Sequence, residues 1–485
     1  MDREIKSNAI TVANVPNTDR ISRLNELFFV EFKCSPSFFV KVPGRVNIIG
    51  EHIDYCGYPV LPMALEQDIL IAARVINESK IYLRNVDTKY AKYDINITNN
   101  SEDIEIKPDT NGKPFWYNYV LCGIKGALEY LNKDKINGVQ FLFHGNIPPA
   151  SGLSSSSALV SASCLAFIYA QNEIPNKTEI ASLCAKSERY VGTQGGGMDQ
   201  AIAFLAEKYN AQYITFKPLN AAPVALPEDA VFVVAHSLAE MNKAATNDYN
   251  RRVIECRLAA KIITILEGIS FDNNIITLSE VQIKLAKSLE EMVNLVKKHL
   301  PNEIYTKQDI CKILNVNQEE MENLYLTANT KSLQEFKLKQ RALHVYEEAK
   351  RVEDFRNACG QSENGFANTL NGNISQNGKN TSNTLNVLGK LMSESHESLK
   401  TLYECSHENL DRIVDISKEL GVHCRLTGAG WGGCTVALCP KDKVQEYTDT
   451  IIEKFFVNYC RIDKTKAKQY VFVTIPSHGA MIYKY

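Results

Sequence analysis

The segment that most restricts how this chain can fold lies at 139–169. Val139, Phe141 and Phe143 alternate with Gln140, Leu142 and His144, which is the period of a half-buried strand. From Ala158 to Tyr169 nearly every residue is apolar or small, as in a buried helix. Between the two runs GNIPPASGLSSSSA (145–158). A flexible serine linker is one reading of this loop, but linkers are not normally wedged between a strand and an apolar helix. In the other reading, the loop and the helix N-terminus offer unpaired backbone N–H groups, serine hydroxyls and the positive end of the helix dipole to an anion.

Further short strands are expected at 69–75 (ILIAARV), 231–235 (VFVVA), 434–438 (CTVAL) and 470–474 (YVFVT). Asn176 and Glu179 are spaced as a capping box ahead of Ile180, Leu183 and Cys184, and 279–352 is almost wholly helical in period. The chain is therefore mixed α and β, strand-rich early and helix-rich in the middle. Its Asn-rich stretch, at about 362–386, has few bulky apolar residues and reads as a flexible surface loop.

Composition narrows the partners. The 54 Lys and Arg against 56 Asp and Glu leave a net charge of −2, so no strong field recommends nucleic acid or an anionic membrane. Thirteen cysteines without metal-ligand spacing read as reduced thiols. The start MDREIKSNAI lacks the apolar core of a signal peptide. The apolar run at 159–170 falls short of the roughly 18 residues that a membrane helix needs. A cytoplasmic setting is expected.

Three more stretches carry chemistry. PGRVNIIGEHIDY (43–55) brings Arg45, Asn47, Glu51, His52 and Asp54 around two glycines, a set that suits a polyhydroxylated ligand or simply a solvated turn. RLTGAGWGGC (425–434) implies a close backbone approach, to a hairpin partner or to a nucleotide. In ERYVGTQGGGMDQ (188–200), Asp199 follows a glycine run; such an acid is more often a helix cap than a general base.

Together and in this order, these stretches resemble the GHMP small-molecule kinases, and within them the galactokinases. GRVNIIGEHIDY resembles the sugar signature, GLSSSSA the phosphate loop and RLTGAGWGGC the third motif. The stretches GNIPPASGLSSSSAL, CAKSERYVGTQGGGMDQ, EMNKAAT and ECRLAAK are most similar to the branch acting on N-acetylgalactosamine.

The resemblance implies an α+β fold of two lobes. The N-terminal lobe (1–222) would be like the second domain of ribosomal protein S5. The C-terminal lobe (223–485) would be ferredoxin-like with helical insertions. It implies a monomeric sugar-1-kinase that uses ATP and Mg²⁺ and makes N-acetylgalactosamine 1-phosphate, with galactose a poorer substrate. A galactokinase and a non-catalytic sugar sensor are the alternatives; the unbroken 152–158 loop weighs against the sensor. On the residues, Asp199 is implied as the catalytic base, with Arg45 beside it and the transferring phosphoryl. Glu51, His52, Asp54 and Tyr249 are implied as sugar ligands. Gly152, Ser154, Ser155, Ser156, Asn242, Lys243 and Trp116 are implied for ATP, and Ser156 with Glu188 for Mg²⁺. This chain departs from the common galactokinase pattern at Cys56-Gly57-Tyr58 and at Gly195-Gly196-Gly197; the resemblance implies that smaller residues near the sugar would give a 2-acetamido group the room it needs.

Overall fold

The structure, a computed structural model, describes residues 8–110, 112–240, 247–270, 276–366 and 377–485. A seven-stranded sheet contains β1 (Thr11–Asn14), β2 (Phe38–Ile49), β3 (Leu61–Ile76), β4 (Lys80–Asn85), β5 (Tyr93–Asn96), β6 (Gly138–Gly145) and β15 (Met481–Lys484). Its order is β1-β15-β2-β3-β6-β4-β5. The pairs β1–β15 and β4–β6 are parallel, and the other pairs are antiparallel. Helices α3 (Ser155–Ala170) and α5 (Met198–Leu205) lie against it, and α2 (Trp116–Leu131) and α4 (Lys177–Ser187) pack on α3. They share its main core with Val139, Phe141 and Phe143. Leu142, on the opposite face, is also buried, because helix α1 (Asp19–Phe32) covers that face with Ile21, Leu24 and Phe28. The half-buried reading of this strand thus changes: a helix the sequence reading had not marked shields the second side.

A hairpin of β7 (Asn210–Phe216) and β8 (Leu219–Ala225) leads to a four-stranded antiparallel sheet. The order of that sheet is β12-β13-β9-β14, with β9 (Ala230–His236), β12 (His423–Thr427), β13 (Cys434–Pro440) and β14 (Val471–Thr474). Helices α13 (Glu408–Glu419) and α14 (Val444–Ile451) close a second core over it with Ile413, Ile416, Tyr447 and Ile451. The division expected at residue 222 falls inside β8, and the last strand, β15, returns to the first sheet.

In the chain between β9 and β12 come α6 (Asp248–Leu266), α7 (Leu278–Leu285), α8 (Leu289–His299), α9 (Lys307–Leu314), α10 (Gln318–Tyr325), α11 (Leu338–Phe366) and α12 (Asn377–Thr401). The two-residue strands β10 (Tyr305–Thr306) and β11 (Glu335–Phe336) pair in their midst. Helices α7 to α10 each start in a reciprocal capping box, at Thr277, Ser288, Thr306 and Asn317, as does α4 at Asn176. That local chemistry explains why a Lys- and Glu-rich stretch stays helical through several breaks. The Asn-rich reading needs correction at its flanks: 362–366 continue α11, and 377–386 belong to α12. Its middle, 367–376, lies outside the described residues. All thirteen cysteines are free thiols. Among the described residues no helix is long and apolar enough to cross a membrane.

Candidate active site

The expected phosphate loop is built from backbone that few side chains tolerate. Ala150, Gly152 and Ser154 all have positive φ, at 53°, 73° and 61°. The chain then enters α3 at Ser155, and Ser154 caps it without a side-chain bond. Helix N–H groups are therefore left for another acceptor, and Ser154 Oγ is buried without a protein partner. The third motif presses against this loop as bare backbone. A Cβ on Gly428 would lie 2.3 Å from the Gly152 carbonyl oxygen, and one on Gly433 would lie 2.7 Å from that of Ser151. Of the two readings of RLTGAGWGGC, the hairpin is present, since Thr427 pairs with Cys434 across the turn, and the same glycines also let the turn press against the phosphate loop.

The 43–55 stretch continues β2 into a turn joined to the same motif. Glu51 Oε1 accepts the Gly428 N–H at 2.6 Å and the Thr427 hydroxyl at 3.3 Å, and Arg425 lies 3.6 Å away. His52 has φ of +64°, and its Nε2 lies 2.9 Å from the Ala429 carbonyl. A carbonyl only accepts, so that nitrogen carries hydrogen. Nδ1 lies 2.8 Å from the Tyr55 hydroxyl, which lies 2.6 Å from that of Tyr403. Both ring nitrogens have protein partners, and the residue also lines the smaller cavity. In this geometry it ties the signature to the third motif. Asp54 Oδ2 accepts the Met198 N–H at 3.4 Å, at the start of α5.

Asp199 is not a cap. Gly197, with φ of +105°, occupies the N-cap of α5, and Asp199 stands in its first turn, where the dipole favours a carboxylate. Its Oδ1 accepts both Nε and Nη2 of Arg45 at 2.7 Å. Arg45, buried at 1% exposure, also donates from Nη1 to the Gly152 carbonyl at 2.5 Å. Burial works against its charge, but Asp199, Glu51 and Asp54 outweigh that and hold its pKa above the ordinary value. The Ser157 hydroxyl lies 2.7 Å from Glu188 Oε2 and 3.2 Å from Asp199 Oδ2. Gln200 Nε2 also donates to Glu188.

These groups line two adjoining cavities. The smaller, about 30 Å³, contains Arg45, Asp54, Asp199 and Tyr249 with the glycines at 195–197. The larger, about 780 Å³, is bounded by Trp116, Gly152, Ser154, Ser155, Ser156 and the third motif's Gly430, Gly432 and Gly433. Glu188, Thr193 and Ala429 face both. Trp116 opens α2, donates Nε1–H to the Ala91 carbonyl at 2.8 Å and packs edge-on against Phe143, so it serves core and cavity together. Tyr249 is buried, and burial, followed by the nearby Asp54 and Asp199, pushes its hydroxyl well above the ordinary range. It remains a hydrogen-bond donor at neutral pH. Asn242 and Lys243 lie outside the described residues.

Sequence reasoning missed Ser157, Tyr55 and Tyr403. Ser157 sits inside the serine run, and only the phase of α3 decides which serine turns towards Asp199. Tyr403 follows α12 without any motif. A triphosphate suits the larger cavity, given the uncapped helix start and the orphaned Ser154 hydroxyl. The Glu188 carboxylate, which lines the larger cavity with Ser156, suits a hard cation that completes its shell with phosphate oxygens and water. Among the described residues no group of three acidic, histidine or cysteine side chains is arranged to hold a metal alone.

The chain is similar to known proteins along most of its length. Residues 26–75 match the family profile described as the galactokinase galactose-binding signature. Residues 118–207 match the GHMP kinases N terminal domain, and 379–457 the GHMP kinases C terminal domain. The chain is 40% identical to a galactokinase of Dictyostelium discoideum over 96% of its length and 94% of the relative's. It is 32% identical to a galactokinase of Saccharomyces cerevisiae over 97% and 96%. The fold is similar to that of Lactococcus lactis galactokinase complexed with galactose, with a TM-score of 0.70 at 23% identity over 95% of this chain and 99% of that one. It is also similar to Methanococcus jannaschii mevalonate kinase, with a TM-score of 0.51 at 20% identity over 91% and 99%.

Proposed function

The chain belongs to the galactokinase subfamily of the GHMP kinases, and from that premise we propose that it transfers the γ-phosphoryl group of ATP to the C1 hydroxyl of galactose. The observation that carries this reading is the Arg45–Asp199 pair. Asp199 lines the smaller cavity, and Arg45 joins it to Gly152 at the rim of the larger one. The sugar binds in the smaller cavity against Glu51, Asp54 and Tyr249, and ATP binds in the larger.

Asp199 takes the proton from the C1 hydroxyl as that oxygen bonds to the γ-phosphorus and the bond to the β-phosphate oxygen breaks, releasing ADP. Arg45 keeps Asp199 ionised and offsets charge developing on the γ-phosphoryl oxygens. The N–H groups at the start of α3, with the hydroxyls of Ser154, Ser155 and Ser156, hold the phosphates. Glu188 and Ser156 would hold a Mg²⁺, which would supply further neutralisation of phosphate charge. Most of the rate then comes from positioning and electrostatics rather than covalent catalysis.

The relatives named galactokinase favour galactose over the N-acetylgalactosamine to which the motifs pointed. One observation favours the amide sugar as a second reading. A Cβ on Gly195, which lines the smaller cavity, would meet no atom within 4 Å, so a substituent on the sugar has space there. A coupled ADP-release assay on galactose, N-acetylgalactosamine and glucose separates the readings. Galactose is expected to turn over fastest. A many-fold preference for N-acetylgalactosamine promotes the second reading, and no turnover on any sugar sinks the kinase assignment.

A further inference from the structure

Backbone that presents ligand-binding side chains must itself be held, and at 48–51 the holding groups come from outside the motifs. His344, Glu348 and Val352 are spaced four residues apart along one face of α11, and all three meet this turn. Glu348 is fully buried, and its Oε1 accepts the Gly50 N–H at 2.9 Å and the Ser395 hydroxyl at 2.6 Å. Its Oε2 accepts Arg351 Nε at 2.7 Å. Burial pushes this carboxyl up, but Arg351, Arg425 and His344 outweigh it and bring the pKa down to about 2, so it is ionised.

His344, also fully buried, lies 3.1 Å from the Glu51 carbonyl through Nε2 and 2.8 Å from the Ser398 hydroxyl through Nδ1. The carbonyl accepts, so Nε2 donates and Nδ1 receives the Ser398 hydrogen. Burial lowers the imidazole pKa to about 4, which keeps this neutral form. Val352 closes the contact: a Cβ on Gly50, whose φ is +103°, would lie 2.9 Å from its Cγ2. From the other side, Arg425 Nη1 donates to the Ile48 carbonyl at 3.0 Å. Neither His344 nor Glu348 lines either cavity.

We propose that His344 and Glu348 are positioning residues for sugar binding, holding the backbone of Gly50 and Glu51 so that the side chains of Glu51 and Asp54 face the sugar. The helical insertion is thereby part of the sugar site although it touches no ligand. The inference rests on assigning Glu51 and Asp54 to the sugar.

Three variants test it. In Glu348→Gln, Arg351 claims the amide oxygen and turns the NH₂ group towards the Gly50 N–H, so donor faces donor. His344→Ala removes the bond to Glu51, whereas His344→Gln returns an N–H close to where Nε2–H stood. In steady-state assays, the galactose KM is expected to rise roughly tenfold in Glu348→Gln and His344→Ala, with the ATP KM within about twofold of wild type. His344→Gln is expected to recover most of the loss. Equal rises in both KM values, or a lowered Tm with both KM values unchanged, overturns the proposal. Amide hydrogen exchange on the ligand-free protein gives a reading independent of which sugar is used. Exchange in a peptide covering 48–53 is expected to accelerate roughly tenfold in Glu348→Gln and His344→Ala, with a β9 peptide unchanged. Unaltered exchange at 48–53 overturns the proposal even if the wild type phosphorylates no sugar, an outcome that by itself would tell only against the kinase assignment.

Discussion

Asp199 owes its position to residues outside its own motif. Arg45 from β2 fixes one oxygen, Ser157 from α3 approaches the other, and Asp54 takes up the first N–H of the helix that carries it. Residue type alone left cap and base open. The pairing with Arg45 separates them, because a capping carboxylate turns back to its own helix. General-base assistance is worth about 10²–10⁴-fold, so Asp199→Ala is expected to lower kcat by at least about a hundredfold while circular dichroism stays near wild type, with Tm lowered because the buried Arg45 loses its partner. Retention of most of the activity would show that another group takes the proton. His52 marks what residue-by-residue reading could not reach: its motif was visible, but its bond to Ala429 depends on a long-range contact.

At the scale of elements, the glycine-rich loops are the most legible part of the site, because backbone conformation and close approach leave glycine little competition. Each glycine has a different reason, however. A Cβ on Gly196 would fall 2.4 Å from the Tyr55 nitrogen and 2.5 Å from Asp54 Oδ2, whereas one on Gly195 meets open space. Gly196→Ala is therefore expected to displace Asp54, lower stability by about 1–3 kcal/mol and raise the galactose KM at least tenfold. Gly195→Ala is expected to leave Tm within about 1 °C. A matching loss of stability in both variants would contradict this assignment of space. The helix start at Asn176 was equally legible because its capping box supplied the signal, whereas the boxes at Thr277, Ser288, Thr306 and Asn317 were hidden in a stretch of uniform helical period. The ends of α11 and α12 were not, since an Asn-rich composition argues for a loop whatever the helices beside it continue to do.

At the scale of the whole molecule, the two sheets and their order could not be read from pattern. β15 reaches its place between β1 and β2 only after the chain has built the second sheet, and no local signal announces such a return. The buried network between the sheets sets the pH response. His344 faces Glu348, Arg351 and Arg425, and burial leaves it neutral in the fold with a pKa near 4 against an ordinary 6.5. The unfolded chain therefore binds this proton first. The stability linked to His344 is complete above pH 6.5 and is lost as pH falls towards 4, about 3 kcal/mol in all. Glu348, Glu404 and Asp411, depressed to about 2, add a second loss that begins only below about pH 4.5. Denaturant titrations of wild type and His344→Gln between pH 7 and 4.5 are expected to diverge, the variant having the flatter slope; parallel curves would assign the acid sensitivity elsewhere.

The central claim is that the two cavities meet so that ATP phosphorylates the anomeric oxygen of galactose. Phosphorus NMR of the product formed from galactose and ATP tests it most directly. The account expects one new phosphomonoester resonance coupled to the single C1 proton, appearing in step with ADP; coupling to the C6 methylene protons, or ADP release without a sugar phosphate, would contradict it.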